Sequence, residues 1–247
     1  MKYMGSKSRI VKNILPIIQN AINNYDIKTY IEPFCGGCNV IDQIKCERKI
    51  ASDNNKYLIG LLQNIDKVSF LPKFVTKEHY SEVRDCFNKG LTIFPDWYIG
   101  AIGFLASYNG RFFDGGYAGV VKTKDGVIRD YYDEAKRNLV AQIPKLKNIE
   151  FQCCDYKKYT MYKDCLFYLD PPYKDVKQYG LNRGFDHEEF WSWCREISKN
   201  NIVFISEHEA PSDFKCVWRQ ELKRTIDNKQ RKKVTERLFI YEKKQVK

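Results

Sequence analysis

Tyr30-Ile31-Glu32-Pro33-Phe34-Cys35-Gly36-Gly37, followed at a short interval by Ile50-Ala51-Ser52-Asp53, decides the fold. The first stretch reads as a short buried strand running into a glycine turn. Val40 to Cys46 reads as a helix, and the second stretch as another buried strand with an acid at its tip. Strand, glycine turn, helix, strand and acid make a βαβ unit, whose parallel strands need helices on their faces. The expected class is therefore α/β.

Upstream, Ile10, Ile14, Ile17, Ile18 and Ala21 recur at helical spacing within Ser6 to Ile22, with Pro16 as a local irregularity. Downstream, Tyr57 to Ile65, Lys77 to Asn88, Asp96 to Ser107 and Tyr132 to Gln142 read as helices, the last closed by Pro144. Between them, Asn109 to Arg129 is rich in glycine and aromatics and reads as a loop or hairpin insertion. Alternation then resumes with strands at Ile149 to Cys153 and Leu166 to Leu169, a helix at Asp186 to Ser198 and a strand at Asn201 to Ser206. Cys216 to Leu222 and Thr235 to Glu242 can pair as a terminal hairpin. No internal repeat or low-complexity linker interrupts this order, so a second domain has to be an insertion, with 57–144 set inside 1–56 and 145–247.

The chain has 247 residues, 43% of them hydrophobic and 30% charged, which fits a globular chain and excludes general disorder. Trp97 to Ala106, the longest apolar run, is about half the length that spans a bilayer, so no membrane partner is expected. The N-terminus carries no apolar signal core, which points to the cytoplasm. Nine cysteines then read as reduced thiols. Cys35-Gly36-Gly37-Cys38 has metal-ligand spacing but lacks a second pair, and His79, His187 and His208 add no useful spacing, so no metal is expected. A net charge of +11 points to a polyanion, and aromatics at 15% can stack on exposed bases.

In open α/β sheets, ligands bind beyond the carboxyl ends of the strands. Glu32 to Gly37, Asp53-Asn54, Asp155-Tyr156 and Asp170-Pro171-Pro172-Tyr173 stand at such ends. Asp53 at a strand tip suits two ribose hydroxyls, although an aspartate there also serves as a helix cap. The proline pair fixes two φ angles and removes two backbone donors. A carboxylate, bare carbonyls and an aromatic ring together suit a planar group bearing an NH2.

Asp170-Pro171-Pro172-Tyr173, Glu32 to Gly37 and Tyr3-Met4-Gly5-Ser6-Lys7 together resemble the Dam-like (D12 class) DNA adenine-N6 methyltransferases, in the family's order and over nearly the whole chain. The resemblance implies a Rossmann-like, S-adenosylmethionine-dependent sheet flanked by helices, with a C-terminal antiparallel hairpin. It further implies an inserted, mostly helical DNA-recognition subdomain. It places Tyr3, Lys7, Glu32, Pro33, Phe34, Gly36, Asp53, Asn54, Asp155, Tyr156 and Asp170 at the cofactor. Asp170, Pro171, Pro172 and Tyr173 would hold a flipped-out adenine of double-stranded DNA. Tyr108-Asn109-Gly110-Arg111 resembles the segment opening the family's DNA-contacting hairpin. Lys122, Lys124, Arg129 and the basic run through Arg231, Lys232 and Lys233 would meet phosphates.

Two departures stand out: Cys38 replaces a glycine common in the family, and the hairpin lacks the fuller arginine-asparagine pattern of GATC readers. The same pocket chemistry also suits cytosine N4 or adenine in RNA. A glycine turn followed by an acid is shared with nicotinamide oxidoreductases, but Gly-x-Gly-x-x-Gly is absent at Gly36. A protein-glutamine methyltransferase would begin its site with Asn rather than Asp170, and a DNA-binding module without catalysis would not need Asp170 to Tyr173. A paired restriction nuclease is compatible with the resemblance.

Overall fold

Five consecutive buried residues make Cys165–Leu169 a strand whose two faces are both covered, as a central strand requires. The computed structural model describes residues 1–123, 125–174, 184–227 and 230–242, with backbone alone at 223–227 and 230–233. Its strands are β1 (Thr29–Glu32), β2 (Arg48–Asp53), β3 (Val120–Lys122), β4 (Ile128–Asp130), β5 (Ile149–Cys153), β6 (Cys165–Leu169), β7 (Ile202–Glu207), β8 (Phe214–Asp227) and β9 (Gln230–Tyr241). Its α-helices are α1 (Val11–Asn24), α2 (Lys56–Gln63), α3 (Lys77–Asn88), α4 (Asp96–Leu105), α5 (Tyr131–Leu146) and α6 (His187–Ile197). The sheet runs β5-β2-β1-β6-β7-β9-β8, with β3-β4 as a separate ribbon. This is the α/β class, with an antiparallel hairpin at its end.

The chain divides into two compact units. One holds Ile10–Phe34, Ile44–Ile50 and Asp155–Lys247. Within it β1 runs parallel to β6 and β6 parallel to β7, while β9 is antiparallel to both β7 and β8. Ile14, Ile18 and Ile22 of α1, with Phe190, Cys194 and Ile197 of α6, are buried with the strands. Asp186 caps α6 by accepting from the N–H groups of Glu188 and Glu189. The terminal hairpin pairs from Phe214↔Tyr241 to Asp227↔Gln230, well beyond the expected Cys216 to Leu222 and Thr235 to Glu242. Ladder bonds need no apolar side chains, so a charged extension left no mark in the hydropathy.

The other unit holds Met1–Arg9, Cys35–Gln43 and Ala51–Cys154, and residues 57–144 lie wholly inside it. Its centre is α4, buried from Ile99 through Leu105, so the long apolar run is a core helix. Gly100 permits the approach to α2, since an added Cβ would lie 2.0 Å from the Tyr57 carbonyl oxygen. Asn55, Thr76 and Asp130 cap α2, α3 and α5. The Asn109 to Arg129 stretch closes as the β3-β4 ribbon, with Val120 paired to Asp130.

Two local expectations change. Val40 to Cys46 forms only a 3-10 turn at Ile41–Gln43, because side chains compete for the carbonyls an α-helix would use. Gln142 Nε2 donates to the carbonyls of Gly37 and Cys38, and Gln43 Nε2 to that of Asn39. Pro144 does not close α5 but lies inside it, as Pro16 lies inside α1. Both prolines, and the residues four earlier, Val140 and Lys12, are exposed, so water can take the freed carbonyls.

Candidate active site

Chain order reverses between β1 and β6, the adjacent parallel strands from which the sheet grows in opposite directions. Such a switch point opens a crevice beyond the strand ends, and Glu32 and Asp170 stand at those two ends. Glu32 is buried and accepts from the Tyr30 hydroxyl at 3.0 Å. Behind them, the Tyr168 hydroxyl bonds Ser206 Oγ at 2.8 Å. Burial first, then the nearby Asp170, drives the Tyr168 phenol well above its ordinary pKa, so it stays neutral.

Asp170 is half-buried, Pro171 buried and Pro172 half-buried. The turn is held to neighbouring strands at two points. Tyr173, also buried, donates its hydroxyl to Glu236 Oε2 of β9 at 2.9 Å. The Lys174 N–H donates to Glu207 Oε1, at the end of β7, at 3.3 Å. His208 presents its ring edge-on to Tyr173, with centroids 4.5 Å apart. Sequence reading missed Glu207, His208 and Glu236. The available signal was period-two alternation in β9, where Glu236 occupies an inward position in line with buried Leu238.

An aromatic group lies in the same unit. Phe34 packs on Tyr156 at 5.4 Å, and Tyr156 on Trp193 at 4.8 Å, with Phe190 against both Phe34 and Tyr156. Asp155 accepts from the Lys157 N–H and starts the 3-10 turn carrying Tyr156. Pro33 is buried and Phe34 half-buried.

In the other unit, Asp53 ends β2 and holds the glycine turn. Its Oδ2 accepts from the Gly36 N–H at 3.3 Å and its Oδ1 from the Asn55 N–H at 3.0 Å. The α2 cap is Asn55, so the cap reading of Asp53 fails. Burial pushes the Asp53 carboxyl up to about 6 against the pull of the Asn55, Gly36 and Asn54 backbone. Asn54 is exposed. Gly36 turns at φ +45, and a Cβ there would lie 2.8 Å from the Tyr3 ring. Lys7 is buried and donates to the Gly5 carbonyl at 3.4 Å. Cys38, where the family often has glycine, sits at φ +57 with its side chain buried, so the turn keeps a glycine-like backbone without opening a helix. Within this unit, the tight glycine turn tied to a strand-tip carboxylate fits the amino-acid end and ribose of S-adenosylmethionine.

Tyr108 and Asn109 are exposed on a 3-10 turn with Gly110 buried, and Arg111 is half-buried. Lys122 is exposed on β3. Arg129 is exposed but engaged bidentately by Glu134 at 2.8 and 2.6 Å. Lys124 lies outside the described residues, as do the side chains of Arg231, Lys232 and Lys233. None of the nine cysteines forms a disulfide. Among the described residues, no group of three or more His, Cys, Asp or Glu is placed to hold a metal ion, and no helix is long and apolar enough to cross a membrane.

A crevice at the switch point, edged by a carboxylate and a proline turn, is where sheets of the α/β class bind their ligands. The chain belongs to the D12 class N6 adenine-specific DNA methyltransferases, whose family model matches residues 3–245. S-adenosylmethionine is the cofactor. The chain is 26% identical to the type II methyltransferase M.MjaIII of Methanocaldococcus jannaschii, over 72% of its own length and 70% of the relative's. It is 28% identical to a DNA adenine methylase of Haemophilus influenzae, over 77% and 68% of the two chains. Against M.FokI of Planomicrobium okeanokoites it is 25% identical over 82% of its own length, but spans only 33% of that protein. Of the substrates left open by the residues alone, DNA adenine is the one this family acts on.

Proposed function

We propose that the protein methylates N6 of an adenine extruded from double-stranded DNA at a specific sequence. The observation that carries this reading is the Asp170 carboxylate at the switch point, followed by a proline turn anchored through Tyr173 and Lys174. A stacked base cannot enter such a crevice, so extrusion precedes chemistry and costs a few kcal/mol of unpairing. Stacking on Tyr173 returns on the order of 1–3 kcal/mol of that cost. The Asp170 carboxylate and the Pro171 carbonyl accept hydrogen bonds from the two amine N–H groups, leaving the nitrogen lone pair directed out of the base plane, and the one proton released on methylation passes by way of Asp170 to solvent. S-adenosylmethionine supplies an electrophilic methyl group when bound. By the family resemblance, Asp53 accepts hydrogen bonds from its ribose hydroxyls, Glu32 to Gly36 wrap its amino-acid end with Tyr3 and Lys7, and Asp155 and Tyr156 hold its adenine. Alignment and fixed dipoles then supply most of the acceleration.

Tritium transfer from labelled S-adenosylmethionine to DNA free of adenine methylation tests the activity. Single-molecule sequencing of the product maps the modified base; label on cytosine or RNA alone sinks the reading. Type II names among the relatives favour a paired restriction nuclease in the same, cytoplasmic, compartment.

Asp53 gives the cofactor site a pH dependence. Its carboxyl in the free protein titrates at about 6, and the charged form is the one that accepts hydroxyl protons. Cofactor affinity is expected to hold above that pH and to weaken by up to about tenfold per unit below it. Calorimetry at several pH values checks this, and a flat affinity between pH 7.5 and 5 removes Asp53 from the site. The same raised pKa means the charged carboxylate opposes folding at neutral pH, a penalty relieved as pH falls through 6.

DNA affinity is expected to fall steeply with salt as displaced counterions return. Lys122→Ala should lower the slope of log affinity on log salt by about one. Arg129 must first leave Glu134, which is inexpensive because solvent screens an exposed ion pair. A salt-independent affinity leaves these cations as solvated surface.

A further inference from the structure

We propose that Glu236 is a positioning residue: it accepts a hydrogen bond from the Tyr173 hydroxyl and so fixes the plane of the ring that receives the extruded base. The proposal rests on the stacking role given to Tyr173 above. Glu236 belongs to the terminal hairpin, far in sequence from Asp170 to Tyr173, and its register partner on β8 is Gln220. Its position faces inward, as do Leu238 in the same strand and, across the sheet, Ser206, whose register partner is Leu238. An apolar side chain there would cost less than a carboxylate, whose burial is unfavourable unless hydrogen-bonded. Glu236 is nevertheless 4% exposed and takes the phenol at 2.9 Å.

Geometry explains what the bond secures. A phenylalanine-like ring can rotate about two side-chain bonds. A ring tied at its hydroxyl and packed T-shaped against the His208 imidazole, with centroids 4.5 Å apart, cannot. The neighbouring Arg237 donates to the His208 carbonyl, so the strand that carries the anchor also holds the residue flanking the ring. The phenol stays protonated, because burial, Asp170 and Glu236 all raise its pKa well above the ordinary tyrosine value, so it remains a donor.

The test measures methyl transfer from tritiated S-adenosylmethionine to genomic DNA free of adenine methylation, with the full chain and five variants. Glu236→Ala is expected to lower kcat by about tenfold to a hundredfold, as small misplacements at reacting centres do, with cofactor affinity within about twofold. Glu236→Gln, which keeps an acceptor oxygen, should recover most of the rate. Tyr173→Phe should match Glu236→Ala, and the double variant should be no slower than either single one. An unchanged kcat in Glu236→Ala, or multiplied losses in the double variant, overturns the proposal. Should Glu236→Ala fail to fold, as judged by circular dichroism, the comparison of Glu236→Gln with Tyr173→Phe decides. A slow Gln variant beside a fast Phe variant then counts against it. Asp170→Ala run in parallel separates the two readings: if it retains activity, the proposed function fails, whereas its inactivity beside an unaffected Glu236→Ala rejects the anchor alone.

Discussion

Asp170→Ala is expected to lower methyl transfer by about a thousandfold or more while leaving the chain folded. Removing one fixed group that stabilises developing charge costs about 10²–10³ in kcat in other enzymes. Asp170 combines that role with holding the amine in line, so its loss sits at the upper end or beyond. The fold should survive for a structural reason. The residue is half-buried at the end of β6, and the turn after it retains its ties to Glu207 and Glu236. The measurement is single-turnover methylation with saturating cofactor, beside a thermal melt. Near wild-type turnover in a folded variant would dismiss the assigned chemistry.

Gly36→Ala is expected to abolish detectable cofactor binding and to destabilise the protein by about 1–3 kcal/mol. The backbone at Gly36 lies at φ +45, where side chains other than glycine are strained, and the new methyl would stand 2.8 Å from the Tyr3 ring. Either the ring moves, uncovering the turn, or the turn moves, breaking the Gly36 N–H bond to Asp53. Both routes take the carboxylate out of register with the loop. Calorimetry with S-adenosylmethionine and a denaturant melt report the two effects. Unaltered binding would mean the turn does not cradle the cofactor.

Much of this architecture was legible in local pattern. Ile149 to Cys153 and Lys77 to Asn88 form a strand and a helix with the expected bounds, because the alternation of Ile149, Phe151 and Cys153 with Glu150 and Gln152 and the helical spacing of Tyr80 and Val83 each leave a clear period. Asp53, Gly36 and Asp170 could be singled out because strand-tip acids and glycine turns are adjacent in sequence to the strands that place them. The reach of the terminal hairpin was not legible, since backbone pairing sets it and charged residues carry no period. The short turn at Ile41–Gln43 also escaped, because the amide of Gln142, from a distant helix, takes the Gly37 and Cys38 carbonyls just before it.

By itself the sequence determined the class of fold, the order of its strands and helices, and which carboxylates end which strands. All of these follow from near neighbours and from hydrophobic period. Only the tertiary structure decided that β1 and β6 lie side by side, that Asp53 grips Gly36, and that Glu236 and Glu207 hold the proline turn. Those contacts join residues between 17 and 136 positions apart, whose meeting depends on strand register and burial.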